Sequence, residues 1–194
     1  TLNLGLAPEI GVNYELNLRG NLINDQLSFD VAAFYFQLDE SITTETNDQG
    51  VVLFRNSGQI DQRGLEASLV WDWLPQGSAV LSMLKTRLAY THHDFEFLNY
   101  VDGGEDLSGK SLPGTAPNIL NLLTDIEWKK SWYANLSYRY SDQVPLNDEN
   151  TIFANDFHLI QTRIGYRFQR SKSNYEIFAG VNNLLNEEYS LGND

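Results

Sequence analysis

The sequence of 194 residues predicts an all-β fold, an antiparallel up-and-down β-barrel that crosses a membrane with its strands. Three features lead to this prediction. The strand-like segments alternate apolar and polar residues and are longer than the roughly 5–6 residues that are usual in soluble sheets. Tight turns alternate with long polar connections, as they do in transmembrane barrels. Four tryptophans flank two of the tight turns, and tryptophan prefers the boundary between membrane and water.

The first half of the chain predicts four strands. Alternation is clearest in the first strand, in which polar Glu15 separates apolar Tyr14 and Leu16. It is blurred in the second strand, because Phe34 and Phe36 fall on the otherwise polar face. In order, the predicted elements are strand 10–23, a two-residue turn at Asn24-Asp25, strand 27–46, a loop tip at 47–50, strand 51–73 with a potential break at 56–58, a turn at 74–78 and strand 80–98.

The second half predicts four more strands after a long connection rich in Gly, Asp and Ser. The elements are the connection 99–116, strands 117–128 and 132–144 around a short turn, a second long connection near 149, and strands 157–168 and 175–181 around a short basic turn at 169–174. Short turns predict that consecutive strands pair as an antiparallel meander.

Two all-β architectures are compatible with this alternation. In a membrane barrel the apolar face of each strand meets lipid and the polar face lines the lumen. In a soluble β-sandwich the same apolar face points inward. Alternation does not separate the two, but strand length, the asymmetry of the turns and the position of the tryptophans favour the barrel.

The charge and composition exclude several classes of function. The net charge of −13 argues against nucleic acid as a partner, because no basic face is available to neutralise phosphates. Acidic residues concentrate in the long connections, whereas Lys129, Lys130, Arg170 and Lys172 occupy short turns, so one end is expected to be acidic. The sequence has no cysteine and no apolar run near the roughly 20 residues of a membrane helix.

Four segments resemble the sequence motifs of one family. They are Pro8-Glu9 followed by residues 13–19 (NYELNLR), residues 56–58 (NSG) with 64–66 (GLE), residues 112–118 (LPGTAPN), and residues 181–189 (VNNLLNEEY). In this order they resemble the TonB-dependent outer-membrane receptors, and they span nearly the whole chain. Leu185 departs from the family pattern, in which Phe is commoner at this position.

The resemblance implies an expected place in a larger molecule. Residues 1–194 are expected to be the C-terminal portion of the receptor β-barrel, about eight strands of a barrel of about 22. The plug domain and the final strand are expected to be absent from this chain. A piece of this kind cannot enclose the parent lumen, so its first and eighth strands are expected to be open edges.

The resemblance also implies a function, TonB-dependent uptake of a scarce nutrient through the cell outer membrane. The implied ligand is a small molecule, most often a ferric siderophore or another iron complex. The other implied partners are outer-membrane lipid, the plug domain of the same parent chain and the TonB complex that acts through that plug. Two alternatives remain open here, a passive porin or structural barrel and a soluble all-β binding module.

Three sets of residues are candidates for functional contacts. The lumen-facing and plug-contact candidates are Asn13, Glu15, Asn17, Arg19, Arg139, Arg163 and Arg167. The outer-loop ligand candidates are Asp102, Glu105, Asp106, Asp148 and Glu149, and the membrane-interface girdle is Trp71, Trp73, Trp128 and Trp132. The alternatives are that the lumen set only pairs across strands, that the acidic loops are only solvated, and that the tryptophans cap a soluble core.

No catalytic constellation is present, so the sequence does not predict an enzyme. His92 and His93 are adjacent, and on a strand they point to opposite faces and cannot chelate one metal together. The acidic loop at 102–106 lacks the alternating ligand spacing of a calcium loop. The sequence therefore predicts neither a cofactor nor a resident metal site.

Overall fold

The computed structural model describes residues 5–46, 52–56, 58–78 and 80–190, which contain one large sheet and three small hairpins. In chain order the strands are β1 (Ile10–Leu22), β2 (Leu27–Asp39), β3 (Ile42–Thr46), β4 (Val52–Asn56), β5 (Gln59–Asp72), β6 (Leu81–Asn99), β7 (Val101–Asp102), β8 (Glu105–Asp106), β9 (Asn118–Trp128), β10 (Trp132–Ser141), β11 (Val144–Pro145), β12 (Phe153–Ala154), β13 (Phe157–Arg170) and β14 (Ser173–Val181).

The large sheet has eight strands in the order β1-β2-β5-β6-β9-β10-β13-β14, and each pair of neighbours is antiparallel. β1 and β14 lie at its two edges and do not pair with each other, so the described sheet is open. The predicted antiparallel meander with open first and last strands is confirmed. In the part of the chain that the structure describes, no helix is long and apolar enough to cross a membrane.

The second predicted strand is interrupted at the end of the sheet that carries the long connections. Predicted strand 27–46 divides into β2 and β3, and its predicted continuity is wrong. Glu40, between the two parts, has a φ of 56°, which breaks an extended chain. The Asn56 amide holds this corner, because it donates to the Glu40 carbonyl at 2.7 Å and to the Ala7 carbonyl at 3.0 Å.

The third predicted strand is also divided, into β4 and β5, which confirms the break near 56–58. β3 and β4 pair as a separate hairpin beyond the large sheet. The predicted loop tip at 47–50 lies outside the described residues.

Two of the short turns differ from their predictions. Leu22 pairs with Leu27, so residues 23–26 form a four-residue turn in place of the predicted two-residue turn, and Ile23, Asn24 and Asp25 all have positive φ. Arg170 pairs with Ser173, so the turn predicted at 169–174 is only two residues long. The turn at 129–131 has its predicted length. Pairing register decides turn length, and a local pattern does not report register.

The register divides the large sheet into an apolar face and a polar face. On the apolar face one row across six strands consists of Leu18, Val31, Ala67, Tyr90, Leu120 and Tyr140. The next row points to the polar face and consists of Arg19, Asp30, Ser68, Ala89, Asn121 and Arg139. Successive residues of a strand point to opposite faces, so this division holds along every long strand.

Two phenylalanines on the polar face explain the blurred alternation of β2. The Phe34 ring occupies the space that a Cβ on Gly64 would take, and Phe36 covers Gly11 in the same way. Glycine therefore provides the room for each ring on the neighbouring strand. Each phenylalanine thus requires a glycine on the neighbouring strand, and neither strand sequence alone shows this requirement.

Buried residues concentrate at the long-connection end. Phe97, Tyr100 and Leu107 form one small core, and Leu107 is only 1% exposed. Ala116, Val144 and Ala154 form a second. By contrast, many large apolar residues of the long strands are exposed, among them Leu16 at 76%.

Candidate functional site

The polar face of the sheet and the long connections above it contain the candidate site. All seven residues predicted to face the lumen lie on this one face: Asn13, Glu15, Asn17, Arg19, Arg139, Arg163 and Arg167. β1 contributes the first four, and β10 and β13 contribute the three arginines. The two groups are therefore separated by four strands of the sheet.

Charged side chains on the polar face pair across strands. Arg87 of β6 binds Asp125 of β9 at 2.5 Å, and the Asn135 amide donates to the same carboxylate at 2.6 Å. Nearer the short turns, Arg167 lies 2.9 Å from Glu127 and 3.7 Å from Glu176. Cross-strand pairing, one of the expected alternatives, thus accounts for Arg167.

Aromatic rings order three arginines of β10 and β13. The guanidinium carbon of Arg167 lies 4.3 Å from the centre of the Tyr133 ring, and that of Arg163 lies 4.5 Å from the Phe178 ring. Arg139 lies 5.9 Å from the Phe157 ring. Tyr133 is buried above Gly165 and its hydroxyl donates to Glu176. These cation–π contacts hold the guanidinium groups against the sheet wall.

The β1 candidates make weaker and more local contacts. The Asn17 amide donates to Glu15 at 2.6 Å on the same strand, and Arg19 lies 3.9 Å from Asp30 on β2. The side chains of both pairs are exposed. Side chains of this kind remain available for contacts with a partner or with water.

Four of the five outer-loop acids already accept hydrogen bonds within the loops. Asp102 binds Arg55 at 2.5 Å, which joins the β7–β8 hairpin to β4. Asp106 accepts from the Ser108 backbone N–H at 3.1 Å. Hydrogen bonding by the Ser108 side chain, and then by its backbone N–H, lowers the pKa of the Asp106 carboxyl. Glu149 accepts from Asn147 at 2.7 Å. Glu105 has no side-chain partner among the described residues.

The fourth acid ties two long connections together. Asp148 accepts a hydrogen bond from the Tyr100 hydroxyl at 3.1 Å, and Tyr100 stacks on Phe97 with ring centres 4.4 Å apart. Burial, and then the hydrogen bond to Asp148, raise the pKa of Tyr100 to about 12. Asn150 adds a second tie, because it accepts from the Ser111 amide at 2.7 Å and donates to the Ser111 carbonyl at 2.8 Å.

The outer connections are therefore an ordered cap and not solvated loops. We use the term outer cap for residues 97–116 and 144–154, which hold the two small cores and the ties between them. The acidic groups that the sequence indicates here are real, but most of them stabilise the outer cap itself.

The histidines do not come together in a metal site. His92 lies with its Nδ1 3.0 Å from the Asn118 amide oxygen, whereas the His93 Nδ1 lies 3.1 Å from the Ala116 carbonyl oxygen. They belong to opposite faces of β6, as adjacent strand residues must. Within the described ranges no group of three His, Asp or Glu residues has the arrangement of a metal site.

The four tryptophans lie at the short-turn end, opposite the outer cap. Trp71 stacks on Trp73 with ring centres 3.7 Å apart, and Trp128 stacks on Trp132 at 6.1 Å. The row continues through Tyr166, which lies 4.8 Å from Trp132. The Trp73 indole N–H donates to Thr86 at 3.1 Å, so its polar atom has a partner.

A row of tyrosines at the other limit of the apolar face was not predicted from the sequence. Tyr35 donates to Asp61, Tyr90 to Asn118 at 2.7 Å, and Tyr140 to Asp142. Tyr140 lies eight positions after Trp132 on β10, about 27 Å along an antiparallel strand. The spacing of eight residues between Trp132 and Tyr140 is the sequence signal that could have revealed it.

A family model described as "TonB dependent receptor-like, beta-barrel" matches residues 1–184. Among solved structures, the ferric-catecholate import receptor Fiu of E. coli K12 is similar with a TM-score of 0.73 and 19% identity over 97% of this chain and 25% of that chain. BauA, the ferric preacinetobactin receptor of Acinetobacter baumannii, has a TM-score of 0.70 and 18% identity over 92% of this chain and 26% of that chain.

A third similar structure is the copper transporter OprC, with a TM-score of 0.68 and 17% identity over 96% of this chain and 28% of that chain. The chain thus spans about a quarter of the length of the solved structures it matches. At these identities the likeness to individual structures concerns the fold.

Proposed function

The chain belongs to the TonB-dependent receptor family of outer-membrane β-barrels, and on this premise we propose that it is the C-terminal wall of an active transporter. The observation that carries the proposal is the match to the family model over residues 1–184, together with a sheet that is apolar on one face and polar on the other. The expected energy source is the TonB complex, which acts through a plug domain of the same parent chain.

In this proposal the apolar face meets outer-membrane lipid and the polar face lines the lumen. The tryptophan row and the tyrosine row then mark the two membrane boundaries, because both side chains combine an apolar ring with a polar atom that needs a wet partner. The roughly 27 Å of strand between them, once tilted, suits an apolar band of about 25 Å or less.

Lipids with brominated acyl chains test this orientation. In the full-length protein reconstituted in such lipids, shallow bromines should quench the fluorescence of the native tryptophans more than deep bromines do. Trp132→Phe should remove part of the quenched signal. Stronger quenching from bromines near the bilayer centre would contradict the proposed boundary.

The proposed ligand class is a scarce metal chelate, most often a ferric siderophore or another iron complex. Similar solved structures carry names that include ferric preacinetobactin, ferric catecholate and copper, which supports a metal-bearing cargo. These names differ among themselves, so the support extends to the class of cargo and not to one compound.

The polar face is proposed to hold the plug domain. Its polar groups on β1, including Glu15 and Arg19, are exposed beside their local partners and can form further hydrogen bonds and ion pairs with a domain inside the lumen. Ion pairs within the wall, such as the one between Arg167 and Glu127, hold other charged side chains of this face in fixed orientations.

The acidic character of the outer mouth is proposed to steer cationic or metal-bearing ligands toward it. Long-range steering weakens as salt screens the charges, so the association rate of a ferric chelate with the full-length receptor should fall as ionic strength rises. An association rate that does not change with salt would show that the acidic groups do not contribute to ligand capture.

Uptake under iron limitation tests the transport proposal directly. Cells that lack the full-length gene should accumulate less radioactive iron from supplied ferric siderophores than the parent strain, and inactivation of TonB should reduce uptake to the same level. Uptake that persists without TonB would support the rival, a passive porin.

A further inference from the structure

Two arginines on the polar face differ from their neighbours. Arg19, Arg87 and Arg167 each lie beside a carboxylate, whereas neither Arg139 nor Arg163 has a carboxylate or hydrogen-bond acceptor among the described residues. Of these two, Arg163 lies beside a concavity of the wall. Its contact is the Phe178 ring, 4.5 Å from the guanidinium carbon. A guanidinium has five N–H donors in a fixed plane, and stacking on a ring leaves that edge open.

The nearest acid in the pairing register is already occupied. Arg163 is opposite Asn135, and Asn135 is opposite Asp125. The Asp125 carboxylate binds Arg87 at 2.5 Å and accepts from Asn135 at 2.6 Å. Asp125 is therefore satisfied from both neighbouring strands, by Arg87 of β6 and by Asn135 of β10, and Asn135 stands between it and Arg163. The positive charge of Arg163 is left without a carboxylate in the described part of the wall.

A concavity of about 360 Å³ lies beside this guanidinium. Gly180 is directly opposite Arg163 on β14, and its missing side chain leaves this part of the wall open. Polar groups of Asn135, Ser137 and Gln161 line the concavity together with Arg163. Asp125 also lines it, with its carboxylate bound by Arg87.

Two exposed apolar residues line the same concavity. Leu123 and Phe178 are 44% and 56% exposed, although both belong to the polar face. A cationic fork between two apolar walls matches a ligand that is anionic at one end and apolar along its body. Water alone would leave both apolar surfaces uncovered.

We propose that the Arg163 concavity binds a small organic carboxylate, with the carboxylate on the guanidinium and the apolar body against Phe178 and Leu123. This inference rests on the proposed function only because that function places the polar face in the lumen. It adds that the transported solute carries a carboxylate group.

Binding of 4-fluorobenzoate to the purified full-length protein in detergent tests this inference by fluorine NMR. The neutral 4-fluorobenzamide is the matched probe, because it has the same ring without the charge. The benzoate should bind about tenfold or more tightly than the amide, since a hydrogen bond to a charged partner outweighs a neutral one.

Variants locate the binding to the concavity. Arg163→Gln should weaken benzoate binding about tenfold or more, and Arg163→Lys should give an intermediate value because the charge remains without the planar fork. Gly180→Ala should weaken binding by filling part of the concavity, since an added Cβ would lie 3.6 Å from the Arg163 Cβ and 3.1 Å from the Thr162 carbonyl oxygen. Arg170→Gln removes the same charge at the short turn and should change nothing.

Three outcomes would overturn the inference. Equal binding of benzoate and benzamide would show that charge has no part in it. A wild-type protein that binds neither probe would show that the site is closed or that a carboxylate of the protein itself fills it. Equal loss in Arg163→Gln and Arg170→Gln would show attraction by net charge only. Because none of these measurements requires uptake, a failure of the transport proposal remains distinguishable.

Discussion

The two ends of the sheet are stabilised in different ways. At the outer end, Leu107 is 1% exposed within a small apolar core, and side chains such as Asn150 tie one connection to another. At the short-turn end, stacked aromatic rings lie on the surface, and Trp132 is 41% exposed. The outer cap thus has apolar cores of its own, whereas the strands below it expose apolar residues on one face and polar residues on the other.

This difference indicates where single substitutions act. In the outer cap, buried side chains and their hydrogen bonds decide stability, as in a soluble domain. In the strands, backbone pairing supplies the shape, and in the proposed orientation the exposed residues are expected to contribute through contacts with lipid and with the lumen. Four substitutions test this comparison, from the largest expected effect to the smallest.

Leu107→Ala should cause the largest loss, about 2–5 kcal/mol of local stability, because it opens a cavity in the outer cap. The loss should appear as faster hydrogen exchange of the amides of Phe97 and Leu107 in the full-length protein. Val101→Ala, at an exposed position of the adjoining β7–β8 hairpin, is the control. If both variants exchange alike, the outer cap has no core of its own.

Gly165→Ala tests whether tight side-chain packing, here of the Tyr133 ring on Gly165, stabilises the strand region. The added Cβ would overlap the Tyr133 ring and displace its hydroxyl from Glu176, at a cost of about 1–3 kcal/mol. Thermal unfolding in detergent measures the loss. In a Tyr133→Ala background the same change should cost little, and an undiminished cost there would place the strain elsewhere.

Because of Tyr100, the stability of the outer cap should fall as the pH rises through the alkaline range. Its pKa rises from 10.0 to about 12 in the folded protein, so the neutral hydroxyl is favoured there. The stabilisation is complete below pH 10 and is lost as the pH rises from 10.0 to about 12. Hydrogen exchange of the outer cap should accelerate across that window, beyond the intrinsic effect of pH.

Tyr100→Phe removes both the hydroxyl and this titration. It should cost about 1 kcal/mol at neutral pH, because the hydrogen bond to Asp148 is lost, and the additional acceleration should disappear. Tyr14→Phe, at an exposed tyrosine of β1, serves as the control. An acceleration that survives in Tyr100→Phe would assign the titration to another group.

Arg87→Gln should have the smallest effect. Arg87 and Asp125 are both partly exposed, and ion pairs of this kind contribute about 0.2–1 kcal/mol. A double-mutant cycle with Asp125→Asn, followed by thermal unfolding in detergent, measures the coupling. A coupling as large as the loss in Leu107→Ala would show that the strand wall is stabilised by charge, contrary to the comparison above.

Much of the fold could be predicted from local patterns. Period two in β1 and β10 predicts strands and assigns each side chain to a face, so that the seven lumen candidates lie together on one face of the sheet. Turn length likewise predicts which strands are neighbours. These properties are local, because a strand and its faces are set by residues two apart.

The contacts of the candidate residues could not be predicted in this way. Arg167 and Arg163 are four positions apart on one strand and look equivalent in the sequence, yet one is paired with Glu127 and the other lies on Phe178. The acids of the outer loops similarly look like free charges, although Asp102 binds Arg55. Each partner comes from a distant part of the chain.

The sequence by itself determined the class of fold, the sidedness of the strands, the family and the separation of an acidic end from a tryptophan end. Only the tertiary structure decided where β2 stops, how long the turns are, which charges are satisfied and that the outer connections enclose cores of their own. The physical reason is register. Alternation is repeated in every strand, but a one-residue shift between strands changes every cross-strand partner, and only the assembled sheet defines that shift.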